Sequence, residues 1–487
     1  MSGPTSSSKS LNTFLLSMMT LGLIIGIPVA ADLAKNGPVG ITIIFFGFLA
    51  AFVPSWLVCS RLGTMFRHDG GVYLWVREAF GPRSGFQAIW IQWTVMVVFL
   101  TASLSVAASS FTFLFNAEDE LGNNRIYLGF GIILIVWLAT AANLLGVRSS
   151  GKIAAIGVFL ATLFPGIAVI VMGLDFLIGG GTLSLNAESG RAFIPDLSTT
   201  DAILPGYTAF LGLEVTAVFI LRLRNPGSQY PRALLFAGLA ALVLLAAVAL
   251  VIMSAIPTDS ISSEDGIMST IKALSEQSRL GFLVPLTAIS IAVGWIGLAG
   301  NIFIGPATGL LTTARYGHLP SALTKENRFG SPTRLLFIQA VIATLVTLAF
   351  ISFSDVQTSF DFIVSLATML YAVMYVLMYS AALKLRRRRT KTQGESPAFV
   401  RAPWIFTLVC IWGTGMAAVI IVNGFTSAWS NPTQGAHFVI ALAIAFLVLA
   451  VLPQIVDRRA RPTGLTGEET TRVEDDGEIF LDERLND

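Results

Sequence analysis

A series of long apolar runs, several without a single charge, leaves this 487-residue chain few ways to fold. Residues 153–173, 233–256 and 404–423 contain no Asp, Glu, Lys or Arg. Each is as long as the roughly 20 residues that carry an α-helix across a bilayer. A large soluble core accounts for one such run but not for a dozen in succession. With 54% hydrophobic and only 12% charged residues, the balance is that of a polytopic membrane protein. The reading is an all-α membrane protein of 12 transmembrane helices, over about 13–34, 39–60, 85–115, 126–146, 152–178, 202–222, 233–256, 281–313, 334–353, 360–384, 403–424 and 435–455. These are spans 1 to 12 below.

The charges between the spans set their direction. Only five of the 31 Lys and Arg residues (Lys35, Arg125, Arg191, Lys272 and Arg279) fall in loops on one side, and the other 26 lie opposite. The positive-inside rule makes the richer side cytoplasmic, which places both termini there and the protein in the cell membrane. The start of the chain lacks a signal-peptide core and cleavage site, so the first apolar run is expected to remain as a helix. Net charge is +2 and gives no argument for nucleic acid. Cys59 and Cys410 lie in separate spans and read as unpaired core residues.

Two spans are interrupted. Span 1 carries Gly22, Gly26 and Pro28 in its middle. Span 6 carries Pro205-Gly206 and then Phe210-Leu211-Gly212-Leu213-Glu214. Glycine and proline also occur in ordinary membrane helices, where neighbours repair the lost bonds. Two breaks five helices apart fit a 5+5 inverted repeat whose discontinuous first helices line a solute site near the midplane. Half-helix ends offer N–H groups to a carboxylate and carbonyls to an ammonium, the two charges of an α-amino acid. Glu214 is an acid at membrane depth, where charge is costly, and so marks a functional position. It precedes Arg222 by eight residues, about 12 Å at α-helical rise, which suits a gate better than a direct ligand.

Several stretches resemble the amino acid–polyamine–organocation transporter superfamily. They are Phe210-Leu211-Gly212-Leu213-Glu214 with the following Arg224-Asn225-Pro226-Gly227, the block from Gly70-Gly71-Val72-Tyr73 to Gly81-Pro82-Arg83, and Gly305-Pro306 through Thr312-Thr313-Ala314-Arg315 to Leu319-Pro320. The likeness is strongest to the bacterial glutamate/γ-aminobutyrate antiporter branch and covers roughly residues 10–455. It implies a leucine-transporter-like fold, with repeats at about 13–178 and 202–384 and accessory helices at 403–455. It also implies exchange of amino acids or their decarboxylated amines by alternating access. Carried over position by position, Leu21, Gly22, Leu23, Ile25 and Gly26 would contact the substrate's charged groups. Thr208, Phe210, Leu211 and Gly212 would form the opposite wall, and Glu214 would help gate the site. Tyr371 and Tyr375 match pathway tyrosines, and with Tyr379 their spacing of four puts three hydroxyls near one helix face.

The chain also departs from that pattern. Arg222 stands where the family often has an acid, and Phe219 where it often has a histidine. Ile302 replaces a common pocket aromatic, and Ile25 and Ile27 replace tyrosines. A neutral or apolar amino acid therefore stands beside glutamate as substrate, with a polyamine permease or a transporter-like sensor as alternatives. In the stretch 301–309 of span 8 only Thr308 offers a hydroxyl to the carbonyls of span 1, so exchange is favoured over sodium symport.

The remaining signals read more plainly. His68 and Asp69 belong to a solvated loop. Gly70-Gly71 lacks the strand–loop–helix context of a phosphate loop. Asp175 is interfacial, and Arg386 to Arg389 anchor topology with anionic-lipid contact. No metal-ligand cluster or nucleophile–base pair is present, so neither an enzyme nor a cofactor is expected. Residues 456–487 form a tail whose last 24 positions hold nine acids and two bases. Such a tail is solvated by default, and a plug over the cytoplasmic mouth is the alternative.

Overall fold

The computed structural model describes residues 11–24, 28–66, 70–122, 124–145, 147–180, 190–195, 202–257, 261, 265–276, 278–352, 356–386, 403–430 and 435–459. Among them, eleven helices are long and apolar enough to cross a membrane. A twelfth span is the bent pair Thr13–Ile24 and Pro28–Ala34, whose axes differ by 49°. Spans 2 to 12 run over Pro38–Met65, Pro82–Thr112, Arg125–Asn143, Lys152–Ile178, Ile203–Arg222, Pro226–Ala255, Leu283–Arg315, Thr333–Phe350, Thr358–Leu385, Trp404–Thr426 and Ala436–Asp457. The only strand-like pairing among the described residues is a bridge between Leu11 and Leu223. Residues 460–487, and with them the acidic tail, lie outside the described residues, as do His68, Asp69, Ile25, Gly26 and Arg387 to Arg389.

Burial separates a centre from a periphery. Within their most apolar stretches, 89% of span 3 and 83% of span 6 are buried, against 28% of span 11 and 11% of span 12. The two central spans are covered by spans 1, 8 and 10, while the last two present Trp404, Trp412, Ile444 and Leu447 outward. That is the distribution expected when the bilayer is the outer solvent, because lipid tails solvate leucine as well as a protein core does.

Small residues bring the central helices together. A Cβ on Gly157 of span 5 would lie 2.5 Å from the Leu298 amide nitrogen of span 8, and one on Gly297 would lie 2.5 Å from the Ile153 carbonyl oxygen. Backbones approach this closely because glycine leaves no side chain between them, the packing mode that membrane helices favour. Spans 2 and 5 each contain one π-helical turn, Phe48–Phe52 and Phe159–Leu163, which ends two residues before Pro54 or Pro165. The ring cannot donate to the preceding turn, and a wider turn absorbs the defect.

Two short helices escape the hydropathy reading. Gly71–Phe80 forms the amphipathic helix within the motif block at residues 70–83, and Gly266–Ser275 lies between spans 7 and 8. The end of span 12 is tied back to the core. Asp457 Oδ1 meets His318 Nδ1 at 2.8 Å, and Arg83 Nε lies 3.7 Å from Asp457 Oδ2. The His318 ring stacks on Phe86 with centroids 5.2 Å apart.

Candidate functional site

Span 6 supplies the centre. Its first α-helical segment, Ile203–Thr208, ends at residues 209–212, and Leu213–Arg222 continues as a 3-10 helix. The break therefore falls after Pro205-Gly206, which remain inside the first segment. Gly212 adopts φ +107°, a region glycine enters without steric cost. A Cβ there would lie 2.6 Å from the Leu23 carbonyl oxygen. The two broken spans thus touch backbone to backbone, and only glycine fits the contact. A 3-10 helix rises about 2.0 Å per residue, so Glu214 sits about 16 Å from Arg222, deeper than α-helical spacing predicts.

Glu214 is 1% exposed. Its Oε1 accepts from Gln92 Nε2 at 2.9 Å and from the Tyr371 hydroxyl, and its Oε2 accepts from the Tyr375 hydroxyl at 2.6 Å. The Tyr375 hydroxyl in turn accepts from the Gly212 N–H at 3.0 Å. A buried carboxylate is tolerated where such donors replace water. The arrangement ties spans 3, 6 and 10 together and commits both carboxylate oxygens to protein donors. Tyr379, the third tyrosine of the spacing, leaves this group, and its hydroxyl pairs with Ser55 Oγ of span 2 at 2.9 Å.

A cavity lies against Tyr371. Span 1 contributes Gly22, Leu23 and Ile24 immediately before its break, and span 6 contributes Thr208 and Leu211. Val95, Met96 and Phe99 close it from span 3, and Trp295 and Ile302 from span 8. Span 10 adds Ala367 and Thr368 beside Tyr371. The wall hydroxyls already have acceptors. Thr208 Oγ1 donates to the Leu204 carbonyl at 2.8 Å, Thr368 Oγ1 to the Val364 carbonyl at 2.7 Å, and Tyr371 to Glu214. The cavity meets the C-terminal end of Thr13–Ile24, the negative end of that helix's dipole.

The two ends of the cavity differ. On the Glu214 side residues 212–220 are all buried, and the Leu11 N–H donates to the Arg222 carbonyl at 3.2 Å. On the other side Leu23, Val29, Phe99 and Thr208 keep partial exposure.

Five of the residues expected at the site line this cavity: Gly22, Leu23, Thr208, Leu211 and Tyr371. Gly212, Glu214 and Tyr375 form the hydrogen-bonded layer next to it. Leu21 is buried in the core. Phe210 packs between helices, its ring 5.5 Å from that of Phe48 and 6.5 Å from that of Phe52. Ile25 and Gly26 lie outside the described residues. Thr308 does not meet span 1, because its hydroxyl donates to the Ile304 carbonyl of its own helix at 2.7 Å. Asn301 makes the link instead, donating Nδ2 to the Met19 carbonyl at 2.9 Å. Sequence reasoning missed Gln92, Met96, Phe99, Trp295 and Thr368. Gln92 had a signal, one of two amides (with Gln87) in a mostly apolar span, whereas the apolar wall residues had none. Among the described residues no group of His, Cys, Asp and Glu is placed to hold a metal ion.

Comparison with known proteins agrees with this architecture. The chain is 31% identical to an uncharacterized transporter of Legionella pneumophila, over 91% of this chain and 96% of the relative. It is 27% identical to a glutamate/γ-aminobutyrate antiporter of Lactococcus lactis, over 86% of each. A probable agmatine/putrescine antiporter of the same species is 25% identical over 70% and 72%. The crystal structure of a mutant manganese transporter from Eremococcus coleocola superposes with a TM-score of 0.56 at 13% identity, covering 94% of this chain and 97% of that one. That likeness speaks for the fold alone: twelve spans with the leucine-transporter-like arrangement, as the paired breaks predicted. The amino acid permease model matches residues 11–451. With that match running through both broken helices and the cavity between them, the chain belongs to the amino acid permease family of membrane transporters.

Proposed function

We propose that the protein exchanges amino acids across the cell membrane by alternating access, with both termini cytoplasmic. The substrate occupies the cavity between spans 1, 3, 6, 8 and 10. Its ammonium faces the carbonyls at the end of Thr13–Ile24. Glu214, reached through Tyr371, belongs to the gate on the closed side.

The observation that carries this reading is the position of the cavity. It lies at the meeting of two helix breaks, closed toward one face by a hydrogen-bonded carboxylate and partly exposed toward the other. A site with one shut and one accessible side is one half of an alternating-access cycle. The antiporter relatives favour exchange over uniport. A polyamine permease would need an acid offered to the amine, and Glu214 lies behind Tyr371, outside the residues that line the cavity.

The test is counterflow of radiolabelled amino acids into proteoliposomes containing the full chain. Accelerated uptake on loading with unlabelled amino acid is expected, with the rate strongly reduced in Glu214→Gln. Exchange by that variant at the parent rate across the whole pH range would remove Glu214 from the gate. Amino acid binding without flux would favour a sensor.

A further inference from the structure

The cavity wall also constrains which amino acid fits. Resting on the transport reading above, we propose that the substrate is a neutral amino acid with an apolar side chain, selected by Met96, Phe99, Trp295 and Ile302. Side chains that carry a charge are excluded.

The wall that a side chain would meet is hydrocarbon, aromatic ring and thioether, and among the described residues no charged group lines it. Three hydroxyls reach the cavity, from Thr208, Thr368 and Tyr371, and each directs its proton to an acceptor within the protein. A side-chain carboxylate entering here would lose its water and find no cationic partner. A guanidinium or second ammonium would find no anion on this wall, because Glu214 lies behind the Tyr371 hydroxyl and not in the lining. Moving an ion out of water without a compensating partner is far costlier than any gain from the hydrocarbon wall.

An apolar side chain meets the opposite situation. Met96, Trp295 and Ile302 are each at most 5% exposed, so the wall that a side chain would meet is already almost dry. The α-ammonium and α-carboxylate stay at the backbone of the helix break, apart from this wall. The antiporter relatives of Lactococcus are named for glutamate, γ-aminobutyrate, agmatine and putrescine, all of which are charged beyond one α-amino acid group or lack it. The inference therefore separates this chain from them.

The experiment uses the full chain in proteoliposomes, with scintillation-proximity binding measured on the same preparation. The probes are tritiated L-leucine and L-phenylalanine, competed with L-alanine, L-glutamate, γ-aminobutyrate and agmatine. Leucine or phenylalanine should exchange, with a preference of about 10-fold or more over alanine, the discrimination a hydrophobic pocket supplies. Glutamate and agmatine should fail to compete at about 100-fold excess. Glutamate or agmatine exchange in the absence of leucine exchange overturns the substrate class while leaving amino acid transport intact. Leucine binding without flux retains the substrate class and overturns transport. No binding and no flux of any probe overturns both. Trp295→Ala enlarges the wall and should raise the phenylalanine-to-leucine ratio of kcat/KM by about 10-fold. Because a ratio does not depend on how much protein is folded, an unchanged ratio overturns the assignment of Trp295 to specificity.

Discussion

Removing the hydroxyl of Tyr375 should cost more than removing that of Tyr371, although both bind the same carboxylate. The Tyr375 hydroxyl makes two bonds: it donates to Glu214 Oε2 at 2.6 Å and accepts the Gly212 N–H at 3.0 Å. Tyr371 makes one, to Oε1, which still has Gln92 at 2.9 Å when Tyr371 is lost. A hydrogen bond to a charged group contributes about 1.5–3 kcal/mol. The low end applies inside a membrane, where the unfolded reference state also finds partners. Tyr371→Phe should therefore cost about 1.5 kcal/mol. Tyr375→Phe loses a similar bond and also strands a buried backbone N–H at a helix break, a penalty of about 1–3 kcal/mol, for a total of about 3 kcal/mol. At about 2 °C per kcal/mol for a large chain, the two variants should differ by about 3 °C in apparent Tm. The assay is the loss of monodisperse protein after graded heating in detergent, at one heating rate for both variants because membrane-protein unfolding is irreversible. Equal midpoints, or a lower one for Tyr371→Phe, would show that the Gly212 N–H does not depend on Tyr375.

Gly212→Ala forces a side chain into φ +107° and to 2.6 Å from the Leu23 carbonyl oxygen. It should abolish exchange in protein that still reaches the membrane, since the backbone contact between the two breaks cannot form; near-parent exchange rates would contradict that contact. Asp457→Ala removes the partner of His318 and Arg83 at the end of span 12. Arg83 is largely exposed, so most of the effect comes from His318, and the loss should be about 1 kcal/mol, read as a fall of about 2 °C in apparent Tm. Parent thermostability in Asp457→Ala would leave span 12 anchored by lipid and packing alone.

Much of the architecture was legible along the chain because the bilayer imposes local rules. Lipid offers no hydrogen bonds, so each span must satisfy its backbone within itself and must be apolar over about 20 residues. Those requirements show in any window, which is why the spans emerged with only small shifts at their ends. The interruptions near Gly22–Pro28 and before Glu214 were legible for the same reason: glycine, proline and a lone acid are conspicuous in an apolar run. The 3-10 form of Leu213–Arg222 was not legible, because its residues suit an α-helix equally well. The amphipathic helices Gly71–Phe80 and Gly266–Ser275 were hidden by their lower hydropathy and short length.

The site divides along the same line. From sequence alone came the acid, the two breaks and the tyrosine spacing, each a feature of one segment. Only the tertiary structure decided that Gln92, Tyr371 and Tyr375, between 122 and 161 residues away, share the oxygens of Glu214. It also decided that Tyr379 turns instead to Ser55, and that Met96, Phe99, Trp295 and Ile302 face one cavity. Hydropathy assigns the same value to a tryptophan in that cavity and to Trp412 facing outward. When the outer solvent is as apolar as the interior, sequence marks where a helix lies in the membrane, and packing alone determines which way each side chain faces.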